Sequence, residues 1–383
     1  MKLSSGASKA FSFILRNQPV QRSQIAAEMH IGVASLGKYI YELMDKRYIK
    51  EIGVSESTGG RKPWLYCVDT DYYRLLCINI STIYCEVAVV DLSLEIHAQE
   101  RFSISRDDDP GDVIRHINQR WVSMKRKMGL DDSFFLGGGV TLFSEPMNDS
   151  GVMYRPIIQY MSDRWADFPV MDELRKHISI PLFPQKGIKA IAALEYYFGK
   201  NVHVKTAAFI LCATNLRSAL VIDGEIQGTS PFFEDAFGHM VINFDGPRCQ
   251  CGKRGCLNCY STIPVIRRKY ASLEGLDDVD IDSVCEAADR GEANAVGVIS
   301  DAAGKLGMAL ANYINLTSPD RVTLLSTLIE KSNLYYDLSV DFAKENLKYL
   351  GGKIPEFQRD GTFDHPLTVG AGATAIIKLF MEG

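Results

Sequence analysis

No run of eighteen or more apolar residues occurs in this 383-residue chain, so no membrane-spanning helix is expected. The opening Met1-Lys2-Leu3-Ser4-Ser5 lacks the apolar core of an export signal, which makes the cytoplasm the expected location. Of nine cysteines, five are scattered singly, as in a chain kept in a reducing compartment rather than one stapled by disulfides. An apolar content of 46% suffices to fill ordinary cores, and a chain of this length forms about two or three domains. Net charge is only −5, but it is unevenly spread. Residues 1–66 carry ten Lys/Arg against five Asp/Glu, a balance of +5 that leaves −10 for the remainder. A basic head on an acidic body suggests that the head meets a polyanion.

The most specific stretch is HMVINFDGPRCQCGKRGCLNCY, beginning at His239. Cys249, Cys251 and Cys256 follow the pattern C-x-C-x4-C, with Gly252 and Gly255 bracketing a Lys-Arg turn and His239 ten positions upstream. Thiolate and imidazole are the ligands zinc prefers in a closed tetrahedral site, and glycines let the backbone wrap one ion. Cys259 is a fifth candidate for four places. Four protein ligands leave no open position for water, so a structural zinc is expected rather than a catalytic one.

In the head, Phe11, Ile14 and Leu15 mark a first helix, and residues 22–29 with Ile25, Ala26 and Met29 a second. Val33, Leu36, Ile40, Leu43 and Met44 recur at helical spacing in a third. Three short helices with tight turns describe a helix-turn-helix. Ser35, Lys38 and Tyr39 lie off the apolar stripe near the start of the third helix, where a recognition helix meets base edges. Two β-like runs, 48–54 and 63–68, then form a wing whose tip carries Arg61 and Lys62. Arg61 suits a narrow minor groove, while Lys38 and Arg22 suit phosphates. The expected partner is double-stranded DNA with a two-fold site, bound by a homodimer or a higher homo-oligomer. Three-helix heads also serve as protein-binding modules, which is the competing reading.

Beyond residue 70 paired strands come first, at 74–90 with a turn at Asp91-Leu92-Ser93. Helices near 110–128 and 169–178 alternate with an apolar strand into Gly137-Gly138-Gly139 and a strand to Pro184. The glycine run reads as a strand-end turn. After a helix at 188–198 the order repeats: strands at 206–211 and 218–222 turned at Asp223-Gly224, helices near 264–272, 281–290 and 292–316, a strand at 322–325 and a last helix at 370–381. Such an order indicates an α/β protein of two similar lobes with a ligand cleft between them. The expected division is 1–70 for the head, 71–186 for a first lobe completed by the helix 370–383, and 187–369 for a second lobe with the cysteine loop.

The head followed by GGRKP, the sheet opening LLCINIS, and above all His239 with CQCGKRGC resemble the ROK family of repressors, uncharacterised reading frames and sugar kinases. The resemblance implies a winged helix followed by a two-lobed actin-like ATPase fold. It also implies zinc on His239, Cys249, Cys251 and Cys256, with Cys259 outside the site. Family members with such a head regulate transcription, usually of sugar uptake or catabolism; those without it are usually sugar kinases.

The family's phosphate loop D-x-G-G-T is here Asn79-Ile80-Ser81-Thr82-Ile83, and its G-T-G-x-G turn is Ala213-Thr214-Asn215-Leu216-Arg217. The nucleotide-side glycine pair is Leu325-Ser326. The asparagines of its N-D-x-N segment match Lys186 and Lys189, and its general base matches Gly187. Without an acidic residue, close glycine backbone or a proton acceptor, phosphoryl transfer by the family mechanism is not available. The two sugar-binding carboxylates match Ala236 and Asn258. Lys186, Lys189, Asn258 and His239 thus become the candidate effector site, for a sugar or phosphosugar. The expected function is a DNA-binding regulator, a repressor, with a catalytically inactive body that senses an effector or dimerises. The alternative is a sugar or amino-sugar kinase with non-standard machinery, argued from fold alone.

Overall fold

The computed structural model describes residues 3–54, 64–153, 161–199, 204–228, 232–348, 353–359 and 361–381. The chain forms two compact units, residues 1–198 with 364–383 and residues 199–363.

The first unit begins with the head: α1 (Ser5–Asn17), β1 (Val20–Gln21), α2 (Arg22–Glu28), α3 (Val33–Asp45), β2 (Ile49–Val54) and β3 (Trp64–Val68). Ser4 caps α1 by accepting the Ala7 N–H, and Gln21 and Gln24 form a reciprocal box at the start of α2. Phe11, Ile14 and Leu15 of α1 are buried with Ile25 of α2 and Leu36, Ile40 and Leu43 of α3, so the helical spacing reports the head's core. Val33, expected on that stripe, is instead 51% exposed. It is the first residue of α3. The strands make an antiparallel sheet in the order β1-β3-β2. The wing tip with Arg61 and Lys62 lies outside the described residues.

Next come β4 (Arg74–Ile80), β5 (Tyr84–Val90), β6 (Ile96–Ser103), α4 (Pro110–Met128), β7 (Phe135–Leu142), α5 (Val170–Arg175), β8 (Leu182–Lys186) and α6 (Gly187–Tyr197). The sheet runs β6-β5-β4-β7-β8, antiparallel across its first three strands and parallel across β4, β7 and β8. The glycine run corrects the expectation of a turn: Gly137, Gly138 and Gly139 lie inside β7, every residue of which is buried. A Cβ on Gly139 would fall within the carbonyl of Ala371, in the C-terminal helix Pro366–Ile376. Glycine is there because a helix backbone rests directly on the strand.

That C-terminal helix is buried from Thr368 to Ile376. A Cβ on its Gly370 would stand 2.9 Å from the Ala190 backbone, so it packs closely on α6. The intimate contact of small residues corrects the expected lobe boundary: α6 belongs to the first unit, not to a second lobe starting at 187. Past the helix, the Phe380 ring reaches the head at 4.4 Å from Phe11 and 4.9 Å from Tyr48, between ring centroids. The Ser8 hydroxyl donates to the Phe380 carbonyl.

The second unit holds β9 (Thr206–Cys212), β10 (Leu216–Ile222), β11 (Glu225–Ile226), α7 (Ile263–Glu274), α8 (Ile281–Asp289), α9 (Ala293–Thr317), β12 (Arg321–Leu325), α10 (Thr327–Lys331), α11 (Asn333–Lys348) and β13 (Glu356–Arg359). Its sheet order, β11-β10-β9-β12-β13, repeats that of the first unit, third-second-first-fourth-fifth. The duplication expected from the sequence is therefore present strand for strand. Asp223-Gly224 joins β10 to the short β11, whereas the β9–β10 hairpin turns at 213–215. Among the described residues no helix is long and apolar enough to cross a membrane.

Candidate metal centre and nucleic-acid interface

His239 closes a run of turns from Phe232, its N–H donating to the Asp235 carbonyl. The chain then folds back on itself through two single bridges, Val241 with Cys256 and Arg248 with Arg254. Between them the Cys249 N–H donates to the Lys253 carbonyl at 2.8 Å and the Gly252 N–H to the Cys249 carbonyl at 3.0 Å. This turn needs Gly252 at φ +91°. Gly255 is also at positive φ, and a Cβ there would overlap the Asn243 carbonyl. The loop thus closes only with the glycines the sequence supplies.

This folding brings His239, Cys249, Cys251 and Cys256 together, with ligand atoms all within 4.8 Å of one another. His239 Nδ1 is 3.6 Å from Cys249 Sγ, and Cys251 Sγ is 3.6 Å from Cys256 Sγ. A tetrahedral ion with metal–sulfur bonds of about 2.3 Å separates its sulfurs by about 3.8 Å, so the donor set fits one metal ion. Burial holds the His239 imidazole below its ordinary value, which keeps it neutral and able to coordinate. Burial pushes the Cys251 thiol up, but the Lys253 N–H and the thiols of Cys249 and Cys256 outweigh it and leave Cys251 lowered. Cys256 is raised by burial and by the thiols of Cys251 and Cys249. Thiols packed this closely cannot all ionise without a cation among them. Cys259 stands outside the set, its Sγ 3.8 Å from the Arg248 carbonyl, and burial raises it to about 11.

The positions matching the kinase machinery are tied into the fold. Asn79 is buried and its Oδ1 accepts from Thr141 Oγ1 at 3.0 Å. Ser81 closes its own turn, its hydroxyl accepting from the Tyr84 N–H at 3.1 Å. Arg217 pairs with Asp235 at 2.7 Å, and Ser326 caps α10 through the Ile329 N–H at 3.1 Å. A Cβ on Gly187 would meet Leu367 Cδ2 at 2.7 Å, so a side chain here requires the end of Leu367 to shift.

The candidate effector residues divide between the units. Lys186 and Lys189 open α6 in the first, with Lys186 buried and Lys189 paired to Glu145 at 2.9 Å. Asn258 and His239 belong to the second, where the Asn258 Oδ1 accepts the Leu216 N–H at 2.9 Å. Within either unit the four are not gathered into one cluster.

On the head, Ser35 and Lys38 are exposed on the first turns of α3, as expected for a groove-reading helix. Tyr39 is half-buried, its ring lying where a side chain on Gly6 of α1 would be, so it packs the head rather than extending from it. The Arg22 Nε donates to the Tyr66 hydroxyl at 2.8 Å, and that hydroxyl donates to Glu51 at 2.7 Å. Its guanidinium is therefore steered by the wing strand. Sequence reasoning missed Trp64, 49% exposed at the loop end of the wing strands, where it pairs with Val54. Trp64 shares a strand face with buried Tyr66 and Val68, so alternation reads it as core, and its exposure comes from its place at the first residue of the strand.

The model of the ROK family matches residues 75–376. The chain is 22% identical to the DNA-binding transcriptional repressor Mlc of Escherichia coli K12, over 94% of this chain and 91% of that one. Among solved structures it is similar to a ROK family transcriptional regulator described as a homolog of E. coli Mlc. The TM-score is 0.81 at 22% identity, covering 98% of this chain and 96% of that chain. It is also similar to the ROK hexokinase of Thermus thermophilus, with TM-score 0.66 and 18% identity over 81% of this chain and all of the other. With the cysteine loop and nearly all of both five-stranded sheets inside the matched span, the chain belongs to the ROK family.

Proposed function

We propose that this chain is a DNA-binding transcriptional regulator, a repressor, of carbohydrate-related genes, and that its body carries no phosphoryl-transfer activity. One observation carries the reading: a winged head with exposed Ser35 and Lys38 is joined to a body whose phosphate-loop positions are filled by internally bonded side chains. The likeness to the repressor Mlc along 94% of the chain supports it. The protein acts as a homodimer on a two-fold site. Its effector, if it takes one, is of the sugar or phosphosugar class, with Lys186, Lys189, Asn258 and His239 as candidates. The metal is a structural zinc, held by His239, Cys249, Cys251 and Cys256.

DNA selected from genomic fragments is expected to bind with log K falling by about 0.9 per phosphate contact per log unit of salt. Lys38→Ala weakens binding across sequences and lowers that slope by about 1 if Lys38 meets a phosphate, while Ser35→Ala relaxes sequence preference. Indifference to every duplex, with slopes near zero, would sink the reading in favour of a protein-binding head. ATP turnover over a panel of hexoses and amino sugars is expected to stay at background. Gly187→Asp should not restore it, because the phosphate-loop positions remain occupied by Asn79, Ser81 and Arg217. Sugar-dependent turnover by the unaltered protein would establish the kinase alternative instead.

A further inference from the structure

The third helix of the head lacks most of the side chains that identify purines. Helix α3 contains no arginine, asparagine or glutamine, and those residues supply most of the paired hydrogen bonds that select guanine or adenine in the major groove. In its first two turns the exposed hydrogen-bonding side chains are Ser35 and Lys38 alone. Beside them stand Val33, 51% exposed, and Ala34, also exposed, while Tyr41 follows on the next turn at 72%. Positions 33, 37 and 41 are four apart and form one row along the helix. The middle one is Gly37, where a Cβ would meet no atom within 4 Å, so another surface can approach this row closely.

Charge leaves the same face open to a polyanion. Residues 33–41 hold no carboxylate. Glu42 is turned onto Ser4, accepting from its N–H at 3.2 Å and its hydroxyl at 2.6 Å, and pairs with Lys46 at 3.3 Å. A single exposed valine is ordinary on a protein surface. Val33, however, is the first residue of α3, and the leading residues of a recognition helix are those that meet base edges. The base-edge group that an aliphatic side chain recognises in the major groove is the 5-methyl of thymine.

We propose that Val33 is a specificity-determining residue of the DNA site, forming with Ala34 an apolar contact for the 5-methyl group of one thymine in each half-site. Cytosine, which has no methyl and presents an amino donor there, is rejected at that position. Removing the methyl from water is worth about fourfold in affinity for each half-site.

This inference rests on the regulator reading, and the experiment distinguishes their failures. A duplex selected from genomic fragments by the full chain is resynthesised with each thymine of the protected site replaced in turn by deoxyuridine, which removes the methyl and keeps the base pair. The expected result is about a fourfold loss of affinity at one thymine of each half-site. Val33→Ala should bind the unmodified duplex more weakly, lose most of the sensitivity at that thymine, and melt with the wild type because the side chain is exposed. Full affinity of the wild type with uracil at every position, or an equal loss in Val33→Ala and wild type, would overturn the proposal and leave the regulator reading standing. A chain that binds no duplex overturns the regulator reading, and the thymine contact with it.

Discussion

Replacing Cys251 by alanine is expected to abolish the zinc binding proposed for the loop and to destabilise the second unit by about 4 kcal/mol or more, in the range reserved for loss of a metal. For a unit of this size that moves the midpoint of thermal unfolding down by roughly 8–16 °C. The loop from His239 to Cys256 has two isolated bridges and few backbone hydrogen bonds of its own. Without the ion it has little to offset the conformational entropy of its glycines. Cys259→Ala, one turn away, should leave both zinc content and midpoint near the wild-type values. Acid should mimic the first variant, because metal binding requires deprotonated ligands. His239 acts in the same direction: its folded value is depressed, so its contribution is whole above the ordinary histidine value of about 6.5. That contribution fades as pH falls through that value toward the lowered one. Cys251→Ala that keeps a full equivalent of zinc, or melts with the wild type, would refute the structural role.

Gly139→Val should be as damaging, for a different reason. The added side chain would fall on the backbone carbonyl of Ala371, and backbone cannot step aside as a rotamer can. Overpacking of this kind costs about 3 kcal/mol or more, and the helix it displaces also packs on α6 at Ala190 and leads to Phe380 in the head. Loss of cooperative melting of the first unit, or failure to recover soluble protein, is the expected result. Gly297→Ala is the control: it lies within α9 with open space where the methyl would go. It should stabilise by up to about 1 kcal/mol. A Gly139→Val protein that melts like the wild type would mean that strand and helix are not in contact as described.

These two sites mark how far the sequence could be read. The metal ligands fall within eighteen positions of one another, so their meeting depends on local turns that glycine spacing announces. Three amphipathic helices of the head are likewise local, and their buried faces match the spacing. The role of Gly139 depends on a helix more than two hundred positions later, which no window of residues contains. For the same reason α6 was assigned to the wrong lobe: its partner is Gly370, not its sequence neighbour β9. Strand β6 and helix α11 went unread as well. The residues of β6, Ile96–Ser103, are all half-exposed or exposed at a sheet edge, and Glu100 interrupts the alternate apolar positions Ile96, Ala98 and Phe102. The fate of Lys189 was also invisible, since the neighbour that neutralises it, Glu145, lies on a separate segment.

The division of the chain has a bearing on how it is made. The second unit is one uninterrupted segment, whereas the first is assembled from two separated pieces joined through the C-terminal helix. On the ribosome, residues 199–363 can reach their final form as an insert while the earlier part waits. Helix α1 finds Phe380 only after the segment that carries it has emerged. The head is thus seated on its support only once that segment has been made, and a nascent chain halted before it would carry a winged helix with no platform beneath it.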